Sequence, residues 1–187
     1  MSTRCQIRVS AKGLVWDPEG GQDEVWIYHH CDGYPSSMLL EILKGYEAAI
    51  APRVYCKGTK NEFVSEKAWE AGRPGKAAAY IIGVDPGGFE PQSKQDQDFH
   101  GDIKYFYEII LSNPNQGASG PKVPRWHVQV YTPVSGFWDN AKESHLKLRV
   151  QGDILALAKK AKTIEDRIRR EDDAEYLKVE KLKANKA

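Results

Sequence analysis

Alternating apolar and polar residues near the start of the chain predict two β-strands. Within residues 5–10, CQIRVS, the side chains of Cys5, Ile7 and Val9 are expected on one face, with polar residues on the other. The turn-rich stretch DPEGGQD separates this half-buried strand from residues 25–30, VWIYHH, which are rich in β-branched and aromatic side chains. We therefore expect the two strands to form a long hairpin.

Apolar residues at helical spacing predict a helix over Met38–Ala51. Ser36 or Ser37 is expected to cap its N-terminus, and Pro52 to end it. A second helix is predicted over Phe63–Ala71, with an apolar side formed by an alanine and a tryptophan.

Three further apolar runs predict strands. AAAYIIGV, Ala77–Val84, is short and nearly continuous, which is consistent with a buried strand, and the polar, glycine- and proline-rich residues 85–98 after it predict a surface loop. KYFYEIIL, Lys104–Leu111, and WHVQVY, Trp126–Tyr131, are expected to pair as a second hairpin.

From Gln151 onward the sequence becomes one long helical pattern with interleaved acids and bases. Its second half has few apolar residues, so it is either a solvated tail helix or a helix that docks a partner or a second copy. We predict an α+β domain over residues 1–150 and a charged helical tail over residues 151–187. The domain is expected to contain a mainly antiparallel sheet of about five strands with helices packed on one face.

Composition excludes several classes of protein. The 187 residues include 27 basic and 26 acidic side chains, so the near-zero net charge gives no reason to expect binding to nucleic acid or to an anionic membrane. No apolar run is long enough to cross a bilayer, and the N-terminal residues lack the apolar core of a secretory signal. Three widely spaced cysteines argue against a disulfide framework, so we expect a cytoplasmic protein.

The stretch VWIYHHCDGYP concentrates reactive side chains at the end of a predicted strand. Strand alternation places Tyr28, His30 and Asp32 on one side, while His29 and Cys31 point to the other and are expected to pack. The first row has the groups needed to hold a ligand. Alternatively, Asp32 only stabilises the turn that follows, in which the next residue, a glycine, is expected to supply a positive φ.

The stretch FHGDIKYFY repeats the same spacing before a strand, with His100 and Asp102 two residues apart. If the strands are antiparallel neighbours, both His-x-Asp pairs fall at one end of the sheet, within reach of one ligand or one divalent ion. Arg4 and Arg8 on the first strand could bind a carboxylate or phosphate there, or be ordinary exposed arginines. No phosphate-binding loop, dinucleotide fingerprint or nucleophile elbow is present.

Together, MSTRCQI, YHHCDGYP and FHGDIKYFYEI followed by VQVY resemble a family of small uncharacterised proteins from phages, prophages and microbial genomes. The resemblance ends before the C-terminal helix and brings no established activity. It implies that His29 and Cys31 occupy variable slots of the motif. It also implies that the positions to examine are Thr3, Arg4, His30, Asp32, Gly33, Tyr34, His100, Gly101, Asp102 and Tyr105.

The favoured function is binding of a small anionic or nucleotide-like ligand, and a phage setting would fit sequestration of that ligand. The predicted ligand-binding residues are Arg4, Arg8, Tyr28, His30, Asp32, His100, Asp102 and Tyr105. One alternative is a hydrolase that uses the two His-x-Asp pairs as acid–base groups or metal ligands. Another is a virion-associated or host-directed interaction protein that forms homo-oligomers through its C-terminal helix. The sequence leaves any cofactor undetermined.

Overall fold

The computed structural model describes most of the chain. The described residues are 3–11, 24–51, 53–55, 63–65, 71–92, 103–112, 124–134 and 146–184, with the backbone alone for 53–55 and 63–65. Eight strands lie in these ranges: β1 Arg4–Ser10, β2 Glu24–His29, β3 Arg53–Tyr55, β4 Phe63–Ser65, β5 Phe89–Pro91, β6 Ile103–Ser112, β7 Arg125–Pro133 and β8 Leu146–Asp153. The helices are α1 Pro35–Ile50, α2 Pro74–Ile82, α3 Ile154–Ala158 and α4 Ala161–Ala184.

Six strands form one mixed sheet in the order β5-β2-β1-β6-β7-β8, and β3 and β4 form a separate antiparallel pair. Within the six-stranded sheet β1 and β6 run parallel, and the other neighbours are antiparallel. The predicted α+β class is therefore confirmed, although the sheet has six strands rather than five. The predicted antiparallel pairings of β1 with β2 and of β6 with β7 are also confirmed.

The main core lies between the sheet and the helices. Cys5, Ile7 and Val9 are fully buried there, as strand alternation predicted, together with Trp126 and Val128 of β7. α1 packs against α2, α3 and α4, and α2 packs on β1 and β2. Each apolar side chain buried in this layer contributes about 1.5–3 kcal/mol relative to an exposed one.

The second face of the sheet is also buried over parts of β1, β2 and β6, where alternation predicted a half-exposed polar face. Trp26, Tyr28 and Phe106 form a smaller apolar cluster there. Gln6 beside them is fully buried, and its amide nitrogen donates to the side-chain oxygen of Gln92 at 2.8 Å. A hydrogen bond of this kind offsets the free-energy cost of burying a polar side chain.

The predicted strand over Ala77–Val84 is wrong, because these residues belong to α2. Pro74 stands in the first turn, where its missing N–H costs nothing, and Gly83 follows the last turn. The buried side chains of α2 recur at helical spacing: Pro74, Ala77, Ala78 and Ile81. A short apolar run does not distinguish a buried strand from a buried helix, and contact with α1 decides the outcome here.

The predicted helix over Phe63–Ala71 is also contradicted where the chain is described. Phe63–Ser65 is β4 and pairs with β3, in keeping with the β-propensity of an aromatic and a β-branched residue. Residues 66–70 lie outside the described ranges. The predicted loop over residues 85–98 contains a turn at residues 85–88 and then β5, and residues 93–98 are not described.

The predicted single C-terminal helix is interrupted. β8 continues to Asp153, whose carboxylate caps α3 by accepting the Leu155 N–H at 2.9 Å, and a turn at residues 159–160 separates α3 from α4. The predicted boundary after residue 150 lies inside β8. Ile164 and Ile168 of α4 are buried in the core, whereas residues 173–184 are exposed. No helix in the described ranges is long and apolar enough to cross a membrane.

The N-terminus of α1 is capped from another element, not by Ser36 or Ser37 as predicted. Tyr34 occupies the cap position without a side-chain hydrogen bond, and the Ser37 hydroxyl donates to the carbonyl oxygens of Asp32 and Tyr34. The buried carboxylate of Glu165 in α4 accepts the Ser36 N–H at 3.3 Å. Burial alone would raise the pKa of Glu165, but the Ser36 hydrogen bond and the Lys162 ammonium outweigh it and lower that pKa.

We predict that Glu165→Gln lowers the free energy of unfolding by about 1 kcal/mol, because the substitution removes a charged cap from a helix N-terminus. Since the pKa of Glu165 is lowered by folding, its contribution is present above the ordinary carboxyl pKa and is lost on acidification. Urea denaturation at pH 7 and at pH 4 measures both effects. Glu180→Gln, on the exposed end of α4, is the matched control, and equal effects of the two variants would contradict the capping role.

Candidate functional site

Three strand termini meet at one rim of the sheet. β2 runs antiparallel to β1, and β6 runs parallel to β1, so the start of β1, the end of β2 and the start of β6 lie on the same side. Thr3, directly before β1, accepts a 2.8 Å hydrogen bond from the backbone N–H of Gly33, which holds the loop after β2 against this rim. We name Arg4, His30, Asp32, Tyr34 and Lys104 the rim site.

The loop that follows β2 is shaped by Asp32 and Gly33. Asp32 itself adopts the left-handed conformation, with φ of 54°, so the prediction that Gly33 supplies the positive φ is wrong. Gly33 is needed for a different reason, since a Cβ there would lie 2.7 Å from the Cβ of Cys5. The buried Tyr107 hydroxyl donates to the Gly33 carbonyl oxygen at 2.9 Å and anchors the loop from below.

His30 lies at the solvent-exposed end of β2, with 53% of its side chain exposed. Its Nε2 is 2.9 Å from a carboxylate oxygen of Glu90 on β5, and its ring meets the Tyr28 ring edge-on at a centroid distance of 4.9 Å. The backbone N–H of His30 donates to the Gly88 carbonyl oxygen at 3.2 Å. The imidazole is therefore oriented but still accessible.

Arg4 and Lys104 bring two permanent cations to the rim site. The register of β1 with β2 ends at Cys5 opposite His29, and its continuation places Arg4 opposite His30. Arg4 and Lys104 are both exposed. The Lys104 ammonium lies 5.9 Å from the centre of the half-buried Tyr34 ring, within the range of a cation–π contact.

Arg8, predicted as a ligand-binding residue, lies four residues further along β1, about 13 Å from Arg4. Its guanidinium contacts a Glu108 carboxylate oxygen at 2.9 Å and lies 5.5 Å from the Trp26 ring centre and 5.6 Å from that of Phe106. Both charged side chains are largely buried. The structure therefore places Arg8 in an internal ion pair and not at the rim.

Two other predicted residues are buried. Tyr28 lies within the small cluster on the second face and reaches the rim only through its ring contact with His30. Tyr105 lies on the helical face, where its ring contacts those of Tyr34 and Tyr107, and burial raises its pKa to about 12. Tyr105 therefore supports Tyr34 from within the core and is not itself a surface ligand-binding group.

Of the predicted site, Arg4, His30 and Asp32 lie at this rim, by the β1–β2 register and the loop that follows β2. His100 and Asp102 lie outside the described residues, and β6, which follows them in the chain, begins at this rim. The predicted convergence of two His-x-Asp pairs stays a prediction. Lys104 joins the site through the direction of β6, which local alternation does not reveal. Tyr34, one of the positions that the resemblance implied, joins it from the N-cap position of α1.

His29 has a different environment from His30. As predicted, it points to the opposite side of the sheet, with only 1% of its side chain exposed, whereas Cys31 is exposed and does not pack as expected. Its Nε2 lies 3.7 Å from a Glu41 oxygen and 3.9 Å from an Asp85 oxygen. Among the described residues, neither ring nitrogen has a hydrogen-bond partner, nor does the buried Glu41 oxygen.

Burial dominates the electrostatics around His29. Loss of hydration lowers the pKa of His29 despite the nearby carboxylates of Asp85 and Asp32. Burial, reinforced by the charge of Asp85, raises the pKa of Glu41. Sequence reasoning missed this group because Glu41 on α1 and Asp85 after α2 are brought to His29 only by helix packing.

No group of three or more histidine, cysteine, aspartate or glutamate side chains in the described ranges is arranged to hold a metal ion. Cys5 and Cys31 are free thiols. Burial, with a smaller effect from Glu41, raises the pKa of the Cys5 thiol well above its usual value, which makes it a poor nucleophile.

Comparison with known proteins gives no relative from which a function could be transferred: no protein-family model, curated protein or solved structure matches the chain.

We predict that Glu108→Ala destabilises the protein by about 3–5 kcal/mol, because it leaves the Arg8 charge largely buried without its carboxylate partner. Replacing both members, Arg8→Met with Glu108→Leu, should cost clearly less than the single substitution, since no buried charge remains. Urea denaturation of the wild type, Glu108→Ala, Arg8→Met and the double variant measures the differences in unfolding free energy. If the double variant is as unstable as Glu108→Ala plus Arg8→Met, the pair is not coupled and the prediction is wrong.

Proposed function

We propose that this protein binds a small anionic ligand, of the nucleotide class, at the rim site. The observation that carries the proposal is that strand direction and register place three exposed basic residues, Arg4, His30 and Lys104, at one rim. The guanidinium of Arg4 suits bidentate binding of phosphate or carboxylate, and the ammonium of Lys104 adds a second permanent positive charge.

The Glu90 carboxylate beside His30 is consistent with a site where an anionic ligand replaces a carboxylate of the protein. Glu90, which is mostly exposed, lies 2.9 Å from the His30 imidazole. A phosphate that approaches Arg4 would compete with this carboxylate for the imidazole. Because an exposed ion pair contributes only about 0–1 kcal/mol, little free energy is needed to displace Glu90.

Tyr34 offers a place for the ring of a nucleotide-like ligand. Its side chain is half-buried, and its ring contacts that of Tyr105 at a centroid distance of 6.1 Å. The cap position of α1 fixes its backbone, so the ring is held beside the Lys104 ammonium. Stacking of a base on such a ring contributes about 1–3 kcal/mol. An anionic group near Arg4 and a ring on Tyr34 would match a nucleotide.

We predict that one or more nucleotides raise the melting temperature of the protein in a panel of inorganic phosphate, nucleoside mono-, di- and triphosphates and cyclic nucleotides. Arg4→Ala and Lys104→Ala should each weaken binding of the best ligand about tenfold or more by calorimetry, and circular dichroism checks that each variant is folded. Lys178→Ala, on the exposed part of α4, is the matched control for lost charge. If no member of the panel stabilises the protein and the purified chain carries no ligand, the proposal fails.

The hydrolase alternative depends on His100 and Asp102, which are not described, and stays a prediction. Incubating the protein with the same nucleotides and separating the products by chromatography tests whether the protein hydrolyses any of them. Turnover that His100→Ala abolishes in a folded protein would favour the hydrolase over simple binding.

An interaction role is a second candidate because α4 projects apolar side chains into solvent. Tyr176, Val179 and Leu182 are exposed at spacings that share one broad side of the helix, and Leu177 is exposed as well. Such a stripe is typical of a helix that packs on a partner, and the sequence pattern predicts homo-oligomers through it.

We predict that, if α4 assembles chains, the full-length protein is a dimer or larger in light scattering and a chain that ends after Asp173 is a monomer. Ending the chain after Gln151 would be uninformative, because Ile154, Ile164 and Ile168 belong to the core. A chain that ends after Asp173 retains these core residues, and circular dichroism checks that it is folded. A monomer in both cases would contradict the interaction role.

A further inference from the structure

His29 lies where four segments meet. β2 supplies the residue, Glu41 approaches from α1, Asp85 from the turn after α2, and the Phe89 ring of β5 packs on the imidazole at a centroid distance of 4.3 Å. His29 is also paired with Phe89 in the β2–β5 register. The imidazole therefore connects the outermost strand of the sheet to the core.

The backbone around this imidazole leaves no spare room. A Cβ on Gly88 would lie 2.8 Å from His29 Nε2 and closer still to the Asp85 carboxylate. The turn is itself tied down, since the N–H groups of Gly88 and Phe89 both donate to the Asp85 carbonyl oxygen, at 3.1 and 3.2 Å. A positive charge on His29 would consequently be enclosed with little access to water.

The carboxylates nearby do not solvate such a charge well. Hydrogen bonds between an imidazolium and a carboxylate are about 2.7–2.9 Å long, whereas the His29–Glu41 and His29–Asp85 separations are 3.7 and 3.9 Å. Among the described residues, the other charged or titratable groups that act on His29 are Asp32, on the loop after β2, and His30, at the end of β2. Protonation would leave an enclosed cation whose two nearest carboxylates lie beyond ordinary hydrogen-bond distance.

We propose that His29, Glu41, Asp85 and Gly88 form an acid-sensitive latch, in which the neutral imidazole keeps residues 85–91 closed on β2 and protonation releases them. The latch does not depend on ligand binding at the rim site. β5 is suited to opening because it is a three-residue strand at the edge of the sheet. Short edge segments of this kind open locally at less cost than the core strands.

The sign of the pH dependence follows from the two protonation states. Burial lowers the pKa of His29 in the closed state, so the open state binds a proton first as the pH falls below about 6.5. The closed state is therefore favoured above that pH and loses population below it. Glu41 has the opposite effect on the pH dependence. Because its pKa is raised in the closed state, the closed state is favoured while Glu41 is protonated and is weakened as Glu41 ionises at higher pH.

Other roles for this group fit the structure less well. A substrate would not reach an imidazole of which 1% is exposed without prior opening of the turn. A metal ion would need its ligand atoms arranged around one point, and no group of three or more histidine, cysteine, aspartate or glutamate side chains in the described ranges is so arranged. A proton needs neither a cavity nor a coordination shell.

Two NMR measurements on the full-length protein test the latch. Titration of the His29 ring signals should give a pKa below 6.5, the ordinary histidine value. Amide hydrogen exchange, corrected for its intrinsic pH dependence, should show that the open population at His30, Gly88 and Phe89 rises up to about tenfold per pH unit below 6.5. Amides of Ile109 and Val128 in the central strands are the internal control and should not follow this trend.

Two variants have opposite expected effects. His29→Gln should abolish the acid-induced opening. Glu41→Gln should make the rise of the open population with falling pH steeper, because it removes the carboxyl group that opposes this rise and that attracts the imidazolium. A His29 pKa at or above 6.5, or pH-independent exchange at the three amides, overturns the proposal even if a variant fails to fold. Stabilisation of the wild type by Zn²⁺ or Mn²⁺ at pH 7.5, absent in His29→Gln, would also overturn it in favour of a metal site.

Discussion

The parallel pairing of β1 with β6 is the constraint on which the rest of the structure depends. It joins two antiparallel groups, β5-β2-β1 and β6-β7-β8, into one sheet, and its partners are about a hundred residues apart in sequence. Parallel strands are usually covered on both faces. This central position accounts for the burial of Gln6, Arg8 and Glu108, which the alternation of polar and apolar residues alone places on a half-exposed face.

Burial of the central part of that second face makes its polar groups depend on one another. The Arg8–Glu108 ion pair bridges the two parallel strands, and the rings of Trp26 and Phe106 flank the guanidinium. The Tyr131 hydroxyl, 3.4 Å from the other Glu108 oxygen, extends the network to β7. Since a buried charge is tolerated only when it is paired, the pairing also restricts the register in which β1 and β6 can meet.

The same strand directions create the two candidate functional regions. They bring the start of β1, the end of β2 and the start of β6 to one rim, where Arg4, His30 and Lys104 are exposed. His29 and His30 are neighbours in sequence, but alternation along β2 sends one to the core and the other to solvent. The two imidazoles are consequently in opposite environments, one buried near Glu41 and Asp85 and the other accessible beside Glu90.

The sequence by itself determined the local elements with strong periodicity: β1, β2, α1, β6 and β7, the antiparallel pairing within each predicted hairpin, and the division of the two histidines between faces. Side-chain alternation and helical spacing are properties of neighbouring residues, so they can be read without the fold. Tertiary structure alone decided that residues 77–82 are helical, that Glu165 caps α1, and that Glu41 and Asp85 surround His29. These features depend on which residues distant in sequence pack against one another. A short apolar run or a single carboxylate does not show which residues it will contact in the fold.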